Sequence, residues 1–145
     1  MQKGSPTQCI RGVDTLLIEL CASADSELTK NVPYGSAALR ITDKEDLTKT
    51  TTLDAILQII RIAKKNDVKV TVWVATPCTS GCPWKHVNAA KGFSTGDTVL
   101  SGKLIKAANK VCRLARLLGG DYVWGWPETC DLWKDLRVRA LTSSQ

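Results

Sequence analysis

The stretch Asp14–Cys21, DTLLIELC, decides how this chain folds. Its near-continuous apolar run suits a strand buried on both faces, the kind found inside a parallel sheet. A second run, Val68–Ala75 (VKVTVWVA), is β-branched, flanked by turn residues, and reads as the clearest strand. Between the two, Ser26–Lys30 has room for a short helix. Ala37–Thr42 (AALRIT) reads as a short strand, and Asp43–Asp46 as an acidic turn. A helix is expected to open at Thr51, which can cap its free amides, with Asp54 complementing the helix dipole. Leu53, Ile56, Leu57, Ile60 and Ala63 recur at helical spacing, with Asp54, Gln58, Arg61 and Lys65 on the opposite face.

Further along, Thr76–Ser101 has no strong periodicity, and connections of that length are usually functional lids or disordered segments. Lys103–Leu118 predicts a helix with Leu104, Ala108, Val111, Ala115 and Leu118 on one face. Lys103, Lys106, Lys110 and Arg113 form a basic stripe on another, and Gly119-Gly120 supplies the stop. Asp121–Trp126 (DYVWGW) reads as a fourth strand, Pro127–Leu136 as a turn with a short helix, and Val138–Leu141 as a last strand. Strands alternating with helices predict an α/β, Rossmann-like three-layer fold with a mostly parallel sheet of about 4–5 strands. The expected organisation is one domain over residues 14–141, with an arm at 1–13 and a tail at 142–145.

Composition bounds the class. The 145 residues are 43% hydrophobic and 23% charged, which excludes disordered and fibrous types. No apolar run approaches the ~18 residues of a membrane helix. Residues 1–12 contain no apolar signal core, so a cytoplasmic location is expected. The six cysteines at 9, 21, 78, 82, 112 and 130 are then expected as free thiols. The net charge of +6 is uneven: residues 1–50 carry 6 basic and 7 acidic side chains, residues 51–145 carry 14 and 7. A basic second part suits an anionic partner, nucleic acid first, although a solvated basic face has the same composition.

In an open parallel sheet, ligands bind beyond the carboxyl ends of the strands. The most specific segment at such an end is Ala75–Trp84, ATPCTSGCPW. A Pro-Cys pair directly after a buried strand puts a thiol at the sheet's top edge, where a thiolate of lowered pKa is a nucleophile. A structural cysteine in a tight turn is the plainer reading.

The strand followed by Pro77-Cys78-Thr79-Ser80 resembles the catalytic loop of cytosine-5 DNA methyltransferases. The resemblance implies that Cys78 adds to a flipped-out cytosine and that S-adenosylmethionine delivers the methyl group. Ile18–Ser23 is similar to that family's first motif, which implies cofactor contacts from Glu19, Cys21, Ser23 and Asp25. Asp43 or Glu45 matches the acid that holds the ribose, Asp46-Leu47 resembles the next acidic motif, and Pro77 flanks the cofactor. Tyr122–Pro127 falls where the family carries a Glu-Asn-Val motif; Gly125 stands at the glutamate position, and Glu128 is the acid left to protonate a base. Thr79, Ser80, Trp84, Asn88 and Trp126 are the implied substrate contacts. Pro77–Trp84 with Asn88, and Trp126–Cys130, are also similar to paired segments of uncharacterised viral and algal proteins, which implies a host cytoplasm or nucleus as the setting.

Other readings stay open. Ser23 and Asp25 replace glycines of the family motif, and no target-recognition segment is visible, which favours a non-catalytic nucleic-acid-binding or assembly module. Lys103, Lys106, Lys110 and Arg113 would then track phosphates. Cys78, Cys82 and His86, with Cys130, offer a third possibility, a zinc-stabilised domain, although the spacing is not a standard knuckle. Trp84 and Trp126 suit stacking on a base, or simply packing against helices.

Overall fold

The structure is a computed structural model that describes residues 10, 12–76, 98–126 and 128–143. Four strands form one parallel sheet: β1 (Thr15–Leu20), β2 (Ser36–Arg40), β3 (Lys69–Val74) and β4 (Asp121–Trp124). Among the described residues, four helices accompany them: α1 (Glu27–Lys30), α2 (Thr50–Lys65), α3 (Thr98–Leu117) and α4 (Leu136–Ser143), with 3₁₀ turns at Asp43–Glu45 and Asp131–Lys134. The chain has the α/β Rossmann-like fold its alternation predicts.

Strand order is β2-β1-β3-β4. The chain therefore steps one way from β1 to β2 and the opposite way from β2 to β3. Right-handed crossovers then put α1 on one face of the sheet, and α2 and α3 on the other. Side-chain parity agrees. Leu16, Ile18 and Leu20 of β1 stand in register with Val70, Val72 and Val74 of β3, all buried. They join Ile56, Ile60 and Ala63 of α2 and Ala107, Ala108 and Val111 of α3 in one core. On the opposite face, Arg40 of β2 donates to Thr29 Oγ1 of α1 at 2.7 Å. That face is lightly covered among the described residues, and Val123 is 40% exposed.

Several boundaries differ from the sequence reading. Ile10 and Val13, inside the expected arm, pack into the core, and α4 runs to Ser143, into the expected tail. Thr51 is not the cap of α2: the helix begins at Thr50, with Lys49 at the cap position and no side-chain bond. α3 begins at Thr98 instead of Lys103. β4 stops at Trp124, because the Gly125 amide makes the last ladder-like bond, to Val74 O at 3.0 Å, and Trp126 then turns aside.

Val138–Leu141 is helical, not a strand. Its alternating Arg137-Val138-Arg139-Ala140 mimics a strand pattern, but Asp135 Oδ1 accepts the Arg137 amide at 2.9 Å and caps a helix. Val138 and Leu141, three apart, share its buried face.

Candidate functional site

The direction of chain progression reverses between β1 and β3, so the loops leaving their carboxyl ends diverge and a crevice opens there. Within this crevice region the turn after β1 is fastened to the end of β2. Ile41 N donates to Glu19 O at 2.9 Å, and Ala22 N donates to Ile41 O at 2.8 Å. Cys21 turns the chain with φ of 58°, the left-handed conformation that glycine normally supplies, at a cost of about 1–2 kcal/mol.

The fastened loops enclose a cavity of about 610 Å³. Cys21 and Ser23 line it from the first turn, Asp43 and Asp46 from the second, and Leu47, Leu100 and Leu104 supply apolar walls. The two aspartates are the charged residues of its lining. Asp46 Oδ1 accepts the Thr48 hydroxyl at 2.6 Å and the Thr48 amide at 3.0 Å. The Thr48 hydroxyl first, then its amide and the nearby Lys49 and Lys103, hold the Asp46 carboxyl below the usual range. Glu45 does not face the cavity. Its Oε2 accepts from Thr42 Oγ1 at 2.6 Å and Thr42 N at 2.9 Å in a capping box, which lowers its pKa. Of the two acids offered by sequence for a ribose, Asp43 is therefore the one left available.

Two other predicted cofactor residues sit elsewhere. Glu19 is buried outside the cavity lining, with Ser26 Oγ 2.7 and 2.8 Å from its carboxylate oxygens. Asp25 is exposed beside the cavity, and the Ser23 hydroxyl, 2.6 Å from its Oδ1, lowers its pKa.

At the carboxyl ends of β3 and β4, Trp126 Nε1 donates to Thr76 O at 2.8 Å. Its ring meets Trp124 and Trp133 edge-on, with centroids 5.2 and 5.0 Å away. Trp126 is thus half-buried in an aromatic row with its N–H engaged. Thr76 Oγ1 and Trp124 Nε1 are buried there with no hydrogen-bond partner among the described residues. Glu128 is exposed, in the turn before the buried Cys130.

No family model, curated protein or solved structure matches this chain.

Pro77, Cys78, Thr79, Ser80, Trp84 and Asn88, named from sequence, lie outside the described residues, as do Cys82 and His86 of the zinc reading. Among the described residues, no group of three or more metal-ligating side chains occurs. Cys21 and Cys112 are free thiols. Burial pushes the Cys21 thiol up to about 11 and Cys112 to about 12, the opposite of an activated nucleophile. No helix among the described residues is long and apolar enough to cross a membrane.

A second concavity was not foreseen. It is a groove of about 300 Å³ between the start of α2 and α3, lined by Thr48, Thr50, Lys103, Lys106 and Lys110. It shares Leu47 with the cavity. The lysine periodicity was legible in the sequence; that α2 stands opposite and makes a groove was not.

Proposed function

We propose that this chain is a methyltransferase-like domain that binds S-adenosylmethionine in the cavity above β1 and β2 and acts on a nucleobase. The cavity's composition carries the reading. Its walls combine apolar side chains suited to an adenine, from Leu47, Leu100 and Leu104, with an available carboxylate at Asp43. Asp43 follows the first turn by about 20 residues, the position from which doubly wound folds hold ribose hydroxyls. Among the described residues the lining carries acids and no cation, which suits a phosphate-free, positively charged adenosyl ligand. A dinucleotide needs a glycine-rich turn opening a helix for its pyrophosphate, and the four-residue α1 follows no such turn.

In this reading Ser23 and Asp25 border the amino-acid end of the cofactor, and Asp43 accepts the ribose hydroxyls. S-adenosylmethionine supplies the methyl group. Cys78, on the segment leaving β3, is the nucleophile toward a cytosine, and Glu128 its proton partner; both assignments rest on the resemblance. Isothermal calorimetry with S-adenosylmethionine and S-adenosylhomocysteine is the direct test. Saturable heat is expected, and Asp43→Asn should weaken binding about tenfold, the worth of one hydrogen bond to a charged acceptor. No heat at millimolar ligand would sink the reading. If the cofactor binds, Cys78→Ser should abolish transfer to a cytosine oligonucleotide and leave cofactor affinity intact.

A second reading, a non-catalytic nucleic-acid-binding module, is favoured by α3. That helix carries five cations and no acid over 20 residues. Lys103, Lys106, Lys110 and Arg113 are all exposed on it. Oligonucleotide binding with a steep salt dependence and no response to cofactor would favour this alternative.

A further inference from the structure

We propose that the groove between α2 and α3 is a phosphate seat, taking a phosphate ester of a nucleotide at the rim of the cavity. The inference rests on the reading that the chain engages nucleic acid, and it names the place and the chemistry. Lys103, Lys106 and Lys110 of α3 line one side, and Thr48 and Thr50 line the other. Lys103 and Lys110 are separated by about 10 Å along the helix axis. Among the described residues, none of the three lysines forms an ion pair with a carboxylate.

The concavity is what separates this groove from an ordinary solvated face. A solvated stripe fans outward from a helix, whereas these lysines border a concavity that a second element closes. Asp46, whose carboxyl feels the Lys103 charge, accepts from Thr48 and lines the cavity next door. Consecutive residues divide the two sites: Lys103 borders the groove and Leu104 the cavity, while Leu47 belongs to both. The molecule thus sets an anion-seeking surface against an acidic, apolar one. A nucleotide substrate held by its phosphate in the groove lies next to whatever fills the cavity, and the two ligands do not compete for the same charges.

The test uses the full chain and amide NMR of residues 47–51 and 103–110, with inorganic phosphate, a nucleoside 5′-monophosphate and a short single-stranded oligonucleotide as probes. Saturable shifts confined to those amides are expected. Saturation by the monophosphate identifies a terminal phosphate as the ligand; saturation by the oligonucleotide alone identifies a backbone diester. The K103A/K106A/K110A variant should lose at least tenfold in oligonucleotide affinity and about 0.7 of a unit of log–log salt slope, the amount for one single-strand phosphate contact. The comparison is R61A/K64A/K65A, which removes the same charge from α2 away from the groove and should change little. Equal losses in the two variants, or no shift at the groove with any probe, would overturn the seat. Groove shifts that persist while S-adenosylmethionine gives no heat would remove the cofactor reading and leave the seat standing.

Discussion

Ser26 Oγ lies 2.7 and 2.8 Å from the two carboxylate oxygens of the buried Glu19. This contact joins the last turn of β1 to the residue before α1, and so shapes the loop that carries Ser23. Ser26→Ala leaves a buried acceptor without this donor, at a cost of about 1–3 kcal/mol. Urea unfolding should report the loss. An unchanged midpoint would mean that the contact contributes nothing to the turn.

The two glycines after α3 should behave differently. Gly119 has φ of 87° and occupies the left-handed helix stop. At Gly120, an added Cβ would press into the Val70 carbonyl oxygen of β3 and lie 3.0 Å from Ala115 O. Gly119→Ala is expected to cost about 1 kcal/mol and Gly120→Ala about 3 kcal/mol. Thermal unfolding of the two variants, compared side by side, checks the order.

Asp135 anchors α4. Arg137 donates to both its carboxylate oxygens, at 3.0 and 2.8 Å, and reaches Gly102 O of α3 at 3.1 Å. The Arg137 hydrogen bonds hold the Asp135 carboxyl below the usual range. A depressed folded pKa contributes stability that is complete above the unfolded value, about 3.9 for Asp, and is lost as pH falls from there through the folded value. Asp135→Asn should therefore cost about 1 kcal/mol at pH 7 and progressively less as the pH falls through the folded value. A pH-independent penalty would assign the effect to packing instead.

Cys21 and Cys112 give the alkaline limb. Burial raises them from 9.0 to about 11 and about 12. Raised folded values contribute stability that is complete below pH 9 and lost as pH rises toward 11–12. Each thiol steepens the decline by up to about 1.4 kcal/mol per pH unit. Cys112→Ala should flatten the fall in unfolding free energy between pH 9 and 10.5. Mass spectrometry after alkylation at pH 8 should find both thiols unmodified in the native chain and modified in urea.

Much of the architecture is written locally. The apolar run of β1, the β-branched β3 and the 3.6-residue spacing of α2 and α3 each state their own structure, because periodicity needs only near neighbours. The acidic turn at 43–46 and the small residues after β1 could be placed at strand ends for the same reason. The α4 segment misled because Arg137-Val138-Arg139-Ala140 satisfies a two-residue period; the Asp135 cap and the Val138/Leu141 pair were the available helix signals.

Other features have no local signature. Whether Asp43 or Glu45 faces the cavity was decided by the Thr42 capping box, and Glu19 was drawn out of the candidate site by Ser26, seven residues on. The strand order β2-β1-β3-β4 is a long-range choice, and with it the cavity above β1 and β2 and the groove facing Lys103, Lys106 and Lys110. A sequence records which side chains a helix or loop can offer on each face. Which faces meet is set by burial of the shared core, and only that meeting turns an acidic turn into a pocket wall and a lysine stripe into one side of a groove.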